Sequence, residues 1–107
     1  MSKIFYHITT PEVWASFSDK DYCSAASLET EGFIHCSYPS ELEETLALHF
    51  KGIEKVLLLE IDPSVLTSKL VVETSRGGIE FPHIYGVIKK AEITKVIERT
   101  LSISSQS

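Results

Sequence analysis

The sequence is short of arginine, cysteine and long apolar runs, and each shortage excludes something. Arg76 and Arg99 are its only arginines, and 10 Lys+Arg stand against 15 Asp+Glu, a formal net charge of −5. Nucleic-acid backbones and anionic membrane surfaces call for clustered positive charge, whereas the one basic doublet here is Lys89-Lys90. Neither nucleic acid nor membrane is an expected partner. A small anionic ligand stays open, because one arginine and a few backbone N–H groups suffice for it. The two cysteines, Cys23 and Cys36, lack the spacing of a metal-ligand pair. The expectation is free thiols in a cytoplasmic protein. The longest apolar run, Val56-Leu57-Leu58-Leu59, is far too short to span a bilayer.

What is present is an ordinary globular chain: 107 residues, 43% hydrophobic and 23% charged. That length makes one domain, read as 1–101, followed by a polar tail at 102–107. A chain of this size buries roughly two thirds of the surface it exposes when unfolded, so a core can form without disulfides or metals.

The pattern along the chain is mixed. The β-branched and aromatic run Ile4-Phe5-Tyr6-His7-Ile8 predicts a first strand over 3–9. Thr10 then caps a short helix with Pro11 at its first position and Val13, Trp14 and Phe17 on its apolar face. Residues 18–22 read as a loop, and 25–31 as a helical turn stopped by Gly32. A strand follows at 33–36. The clearest helix carries Leu42, Leu46 and Phe50 at four-residue steps, with Ser40 and Glu43 as a capping box and Gly52 after its end. Residues 56–61 predict a buried central strand, Asp62-Pro63-Ser64 a break, 70–73 another strand, and 75–78 a turn. Residues 81–88 are extended but interrupted by Pro82, which points to an edge or a functional loop. Residues 93–98 predict a last strand. One good helix, short helical turns and about six strands define an α+β domain.

Three of the four histidines sit in distinctive runs: Phe5-Tyr6-His7-Ile8-Thr9, Gly32-Phe33-Ile34-His35-Cys36-Ser37 and Phe81-Pro82-His83-Ile84-Tyr85-Gly86. Each imidazole follows apolar or aromatic residues and precedes a hydroxyl, thiol or phenol. That suits a strand anchored in a core with one polar tip in a cleft, where histidine can donate, accept or carry charge. The alternative for each is a buried ring bonded to backbone. Thr9 and Ser37 add hydroxyls. Tyr85 adds a ring able to stack on a planar ligand. Glu73 ends an apolar strand just before Ser75-Arg76-Gly77-Gly78, where Arg76 suits an anion; Glu80 is a second carboxylate nearby. His7, His35 and His83 would match a three-histidine zinc site in ligand count. The local pair spacings that announce zinc are missing, and no metal is expected. Cys36 as a nucleophile is weak, because its neighbour His35 points to the other face of a strand.

Tyr6-His7-Ile8-Thr9, Glu31-Gly32-Phe33-Ile34-His35-Cys36-Ser37, Val72-Glu73, Arg76-Gly77-Gly78 and Phe81-Pro82-His83-Ile84-Tyr85-Gly86 together resemble the bacterial family called domain of unknown function 952. The likeness runs over nearly the whole chain, in order. It implies an ADP-ribosyltransferase-like fold, two small mostly antiparallel sheets with short helices around an NAD-binding cleft. In that wider group a first-strand residue holds the ribose, a middle residue is aromatic or carries a hydroxyl, and a glutamate comes late. By resemblance His7 with Thr9 takes the first position, His35 with Ser37 the middle one, and Glu73 or Glu80 the last. The implied ligand is a small molecule or nucleotide, with NAD as substrate. Two classes of function follow: NAD-dependent ADP-ribosyl transfer or glycohydrolysis, with His7, His35 and Glu73 catalytic, or a non-catalytic module that binds a nucleotide or other small ligand.

Overall fold

The first strand forms as β1 (Phe5–Thr9) and pairs antiparallel with β4 (Lys55–Ile61), from Phe5 opposite Ile61 to Thr9 opposite Leu57. The computed structural model describes residues 3–101, without the side chain of Arg76; the segment 102–107 read as a polar tail lies outside the described residues. On the other side of β4 lies β8 (Ile93–Thr100), giving the sheet order β1-β4-β8. The continuous apolar run fits this central place. A middle strand covered on both faces needs apolar side chains on both, and Val56, Leu58, Leu59 and Ile61 are all buried.

A second antiparallel sheet is built from β3 (Ile34–His35), β6 (Glu80–Tyr85) and β5 (Lys69–Thr74), in the order β3-β6-β5. A two-stranded ribbon pairs β2 (Tyr22–Cys23) with β7 (Ile88–Lys89), so the expected loop over 18–22 gives up its last residue to a strand. The Pro82 expectation is corrected: the proline lies in a middle strand and is fully buried. The backbone explains why it fits. Cys36 N donates to Pro82 O at 3.1 Å, so Pro82 faces β3. In an antiparallel ladder a residue's N and O face the same neighbour. The β3 pairing ends at His35 opposite His83, so the missing N–H leaves the β5 ladder untouched.

Among the described residues three short α-helices complete the α+β fold: α1 (Pro11–Ala15), α2 (Ala26–Thr30) and α3 (Pro39–His49). Thr10 Oγ1 accepts from Val13 N at 3.3 Å and starts α1 as expected. Trp14 and Phe17 pack against the core, but Val13 does not join them and is 41% exposed. The Ser40–Glu43 capping box is absent. Pro39, with its fixed φ, already occupies the first helical turn, so Tyr38 is the N-cap and Ser40 sits inside. Glu43 instead takes a two-pronged bond from Arg99 of β8, at 2.6 and 2.9 Å.

The core has two parts. Phe5, Ile34, Leu59, Ile61, Ile84 and Ile88 join both sheets, with Cys23 and Cys36 among them. Ile8, Leu42, Leu46, Val56 and Leu58 lie between the first sheet and α3. Each such side chain contributes about 1.5–3 kcal/mol by leaving water. Between the sheets, among the described residues, runs one isolated antiparallel bridge: Tyr6 N donates to Ser37 O and Ser37 N to Tyr6 O, both at 2.8 Å. That bridge brings the His7 strand alongside the His35 strand.

Candidate functional site

The site begins with His7, only 6% exposed on β1. Its Nδ1 lies 2.8 Å from the backbone carbonyl of His35. A carbonyl can only accept, so Nδ1 carries the proton and Nε2 keeps a lone pair. Burial drives the ring below its ordinary pKa; the bond to the His35 carbonyl pulls the other way, the His35 charge pushes the same way, and burial wins. His7 is therefore a neutral imidazole with a fixed tautomer. Among the described residues nothing hydrogen-bonds its Nε2. Thr9, two residues on and 8% exposed, has a hydroxyl with no partner among the described residues either. The Ser37 hydroxyl differs: it donates to Thr45 Oγ1 of α3 at 3.1 Å.

The second sheet supplies an aromatic and imidazole face. Alternation puts His83 and Tyr85 of β6 on one side, and pairing sets His83 opposite His35 and opposite Val71. Glu73 is the diagonal neighbour of His83 on that side, within reach of long side chains. His83 Nδ1 donates to Glu73 Oε1 at 2.5 Å, and the Tyr85 hydroxyl donates to the same oxygen at 3.0 Å. These two bonds, His83 first, hold the Glu73 carboxyl below its usual range, and the Glu73 bond pushes the Tyr85 phenol up. Phe33 stacks on the His83 ring, centroids 4.2 Å apart and planes 21° apart, and meets His35 edge-on at 4.8 Å. The exposed His35 ring takes a different carboxylate, Glu31 Oε1, at 3.1 Å.

Several of these groups line one pocket of about 900 Å³. His7, Thr9, His35, Ser37 and His83 all line it, so five of the residues singled out in the sequence come together. Glu73 and Tyr85 are not on its wall; they reach it only through His83. Glu80 is exposed at the start of β6 and is not on the wall. The Arg76 side chain lies outside the described residues. Cys36 lines the pocket, but burial lifts its thiol well above the ordinary range, with the Cys23 charge adding to the effect. It packs as a core residue. Among the described residues no group of three or more His, Cys, Asp or Glu is arranged to hold a metal. No helix among them is long and apolar enough to cross a membrane.

The sequence reading missed one wall. Glu41, Glu44, Thr45 and Leu48 of α3 line the pocket, followed by His49, so all four histidines face one space. The signal was present: positions 41, 44, 45 and 48 recur at the spacing of one helix face. It was hidden because the Leu42, Leu46 and Phe50 stripe on the neighbouring face is the apolar one. Among the described lining residues there is no Lys or Arg.

A small antiparallel α+β domain with a histidine-walled pocket is thus the class defined by fold and site. The family model described as "Protein of unknown function (DUF952)" matches residues 8–96, and the chain belongs to that family. It is similar to the crystal structure of protein CC0527 from Caulobacter crescentus, with a TM-score of 0.82 and 30% identity over 95% of this chain and 89% of that one. The solution NMR structure of the same Caulobacter protein gives 0.79 and 30%, over 92% and 86%. Among curated proteins nothing matches.

Proposed function

We propose that the pocket binds NAD or a related nucleotide in an ADP-ribosyltransferase-like fold and breaks its nicotinamide–ribose bond, by ADP-ribosyl transfer or by hydrolysis. The observation that carries this reading is His7: a buried, neutral imidazole of fixed tautomer whose Nε2 has no partner among the described residues, beside the Thr9 hydroxyl in the pocket wall. A lone pair held in an apolar wall binds a ligand O–H far better than it binds nothing, because an unmet buried acceptor costs roughly 1–3 kcal/mol. A ribose offers adjacent hydroxyls to such a group. The aromatic side of the pocket, Phe81 with His35, suits the planar nicotinamide. The pyrophosphate would rely on backbone N–H groups and on Arg76, in the role its place between Ser75 and two glycines suggests. The bond to nicotinamide breaks with developing positive charge on the sugar, so prearranged dipoles supply most of the acceleration. Glu73 contributes from behind His83 rather than on the sugar itself.

A second reading, a binding module without chemistry, is favoured by one observation: the carboxylate expected last in the constellation is bonded to His83 and Tyr85 instead of lining the pocket. One experiment separates the two. The protein is incubated with NAD, free nicotinamide is measured, and the melting temperature is read alongside. Release of nicotinamide above the protein-free rate supports the enzyme. A raised melting temperature without release supports the module. Neither effect with NAD removes both readings for this nucleotide.

A further inference from the structure

We propose that His83, held by Glu73, is a general base whose Nε2 takes the proton of the attacking hydroxyl in the pocket. Four observations converge on it. A carboxylate only accepts, so the 2.5 Å bond to Glu73 Oε1 fixes the proton of His83 on Nδ1. Nε2 is then the lone pair, and among the described residues no hydrogen bond reaches it. The ring is clamped as well as oriented: Phe33 covers one face, and the side chain is 14% exposed. The ring nevertheless lines the pocket that His7 lines. Base, orienting carboxylate and open lone pair are the parts a proton-abstracting imidazole needs. Tyr85 donates to the same Glu73 oxygen and fixes the carboxylate in turn.

The proposal rests on the pocket being the reaction site read above, and it supplies the step that reading lacks. Water or an acceptor hydroxyl gives its proton to His83 Nε2. Its oxygen lone pair forms the new bond to the ribose anomeric carbon. The bond to nicotinamide breaks, and its electron pair stays on the ring nitrogen and cancels the positive charge there. The proton remains on His83 as imidazolium, facing the Glu73 carboxylate, until solvent removes it. Glu73 is a positioning residue: it sets tautomer and orientation and balances the charge. The other groups facing His83 are His35, its ring 5.2 Å away, and through it Glu31. The first lies close enough to act in place of His83, so it is altered in parallel.

The test has two arms. The first needs no substrate. Nitrogen NMR of the histidine rings reads the tautomer, and diethyl pyrocarbonate followed by peptide mass spectrometry reads the reactivity of each Nε2. Expected are a single Nδ1–H tautomer for His83 and its carbethoxylation. Glu73→Ala should return His83 to a mixture of tautomers. An Nε2–H tautomer, or an inert His83 beside a modified His35, overturns the proposal. The second arm follows nicotinamide release from NAD. His83→Gln should lower kcat about 100-fold with KM changed by less than about threefold. Glu73→Gln should lower kcat by less, whereas His35→Gln, at a group read above as facing the nicotinamide, should raise KM and lower kcat far less than His83→Gln does. A His83→Gln protein with full kcat overturns the proposal. If the unaltered protein releases no nicotinamide, the NAD reading fails by itself, and the general base stands or falls on the first arm.

Discussion

His7 and His35 are joined by a bond that uses the side chain of one and the backbone of the other: His7 Nδ1 donates to the His35 carbonyl at 2.8 Å. The His35 ring is free of that duty. It stands half exposed against Glu31, in a pair of the kind worth about 0–1 kcal/mol.

His35→Ala should therefore lower unfolding free energy by less than about 1 kcal/mol. If NAD binds as proposed, the same variant should reduce NAD-induced thermal stabilisation by a larger share than it reduces the melting temperature of the free protein. Leu46→Ala should do the opposite, since Leu46 is 3% exposed under α3 and such truncations cost about 2–5 kcal/mol. Urea titration and thermal shift on the two variants make the comparison. A His35→Ala protein as damaged as the Leu46→Ala one would return His35 to a purely structural role.

His7 predicts a pH dependence with a definite sign. Its folded pKa lies below the ordinary value because burial disfavours the imidazolium. As pH drops past the unfolded value of about 6.5, the unfolded chain takes up a proton that folded His7 refuses. More protons are bound in the unfolded state, so stability falls as pH falls, until the folded ring titrates as well. His7→Gln should flatten this stretch of the curve. Urea midpoints measured from about pH 7.5 down to about pH 5 test it; parallel curves for the two proteins would refute it.

Gly86 closes the Phe-Pro-His-Ile-Tyr-Gly run for a packing reason. A Cβ there would lie 2.5 Å from Ser68 Oγ and 2.9 Å from Ser68 Cβ. Ser68 cannot give way without loosening its 2.7 Å bond to Val87 O. Gly86→Ala should destabilise by about 1–3 kcal/mol. Adding Ser68→Gly should recover part of that loss, and a purely additive double variant would contradict the steric explanation.

Glu92 should be the most damaging single carboxylate to remove. It is 4% exposed and accepts from Thr67 N, Thr67 Oγ1 and Lys89 N at 2.8, 2.7 and 3.0 Å. Burial pushes its carboxyl up, but those bonds outweigh burial and hold it below the usual range. Glu92→Ala leaves the donors unmet and should cost roughly 1–3 kcal/mol in a urea titration. A loss no larger than that of an exposed residue such as Glu12 would show that solvent replaces the carboxylate freely.

Much of this was legible from local signals. The strand at 5–9, the central apolar strand and the Thr10 cap follow from alternation, a continuous apolar run and a hydroxyl before a proline, all of which act within a few residues. The convergence of His7, His35 and His83 was readable from their shared context, though not from any spacing. Other residues were misread for non-local reasons. Pro82 reads as an edge residue because the sequence does not say that β3 stops pairing beside it. Ser40 and Glu43 read as a box because nothing local reveals Arg99 across the sheet. Glu73 reads as facing the ligand because its diagonal neighbour His83 is fixed only by register. The carboxylate of Glu92, buried 25 positions from Thr67, carries no local mark at all.

The Tyr6–Ser37 bridge has a further consequence. His7 belongs to one sheet and His83 to the other, and two backbone bonds are the ladder contact between those sheets among the described residues. The gap between the two imidazoles is thus not a multiple of any strand spacing. It is an aperture whose width depends on how two separately registered panels lean together. Substitutions beside positions 6 and 37 can reset that width without rebuilding either panel. A change of that kind would widen or narrow the pocket while each of the four histidines kept its place in its own element.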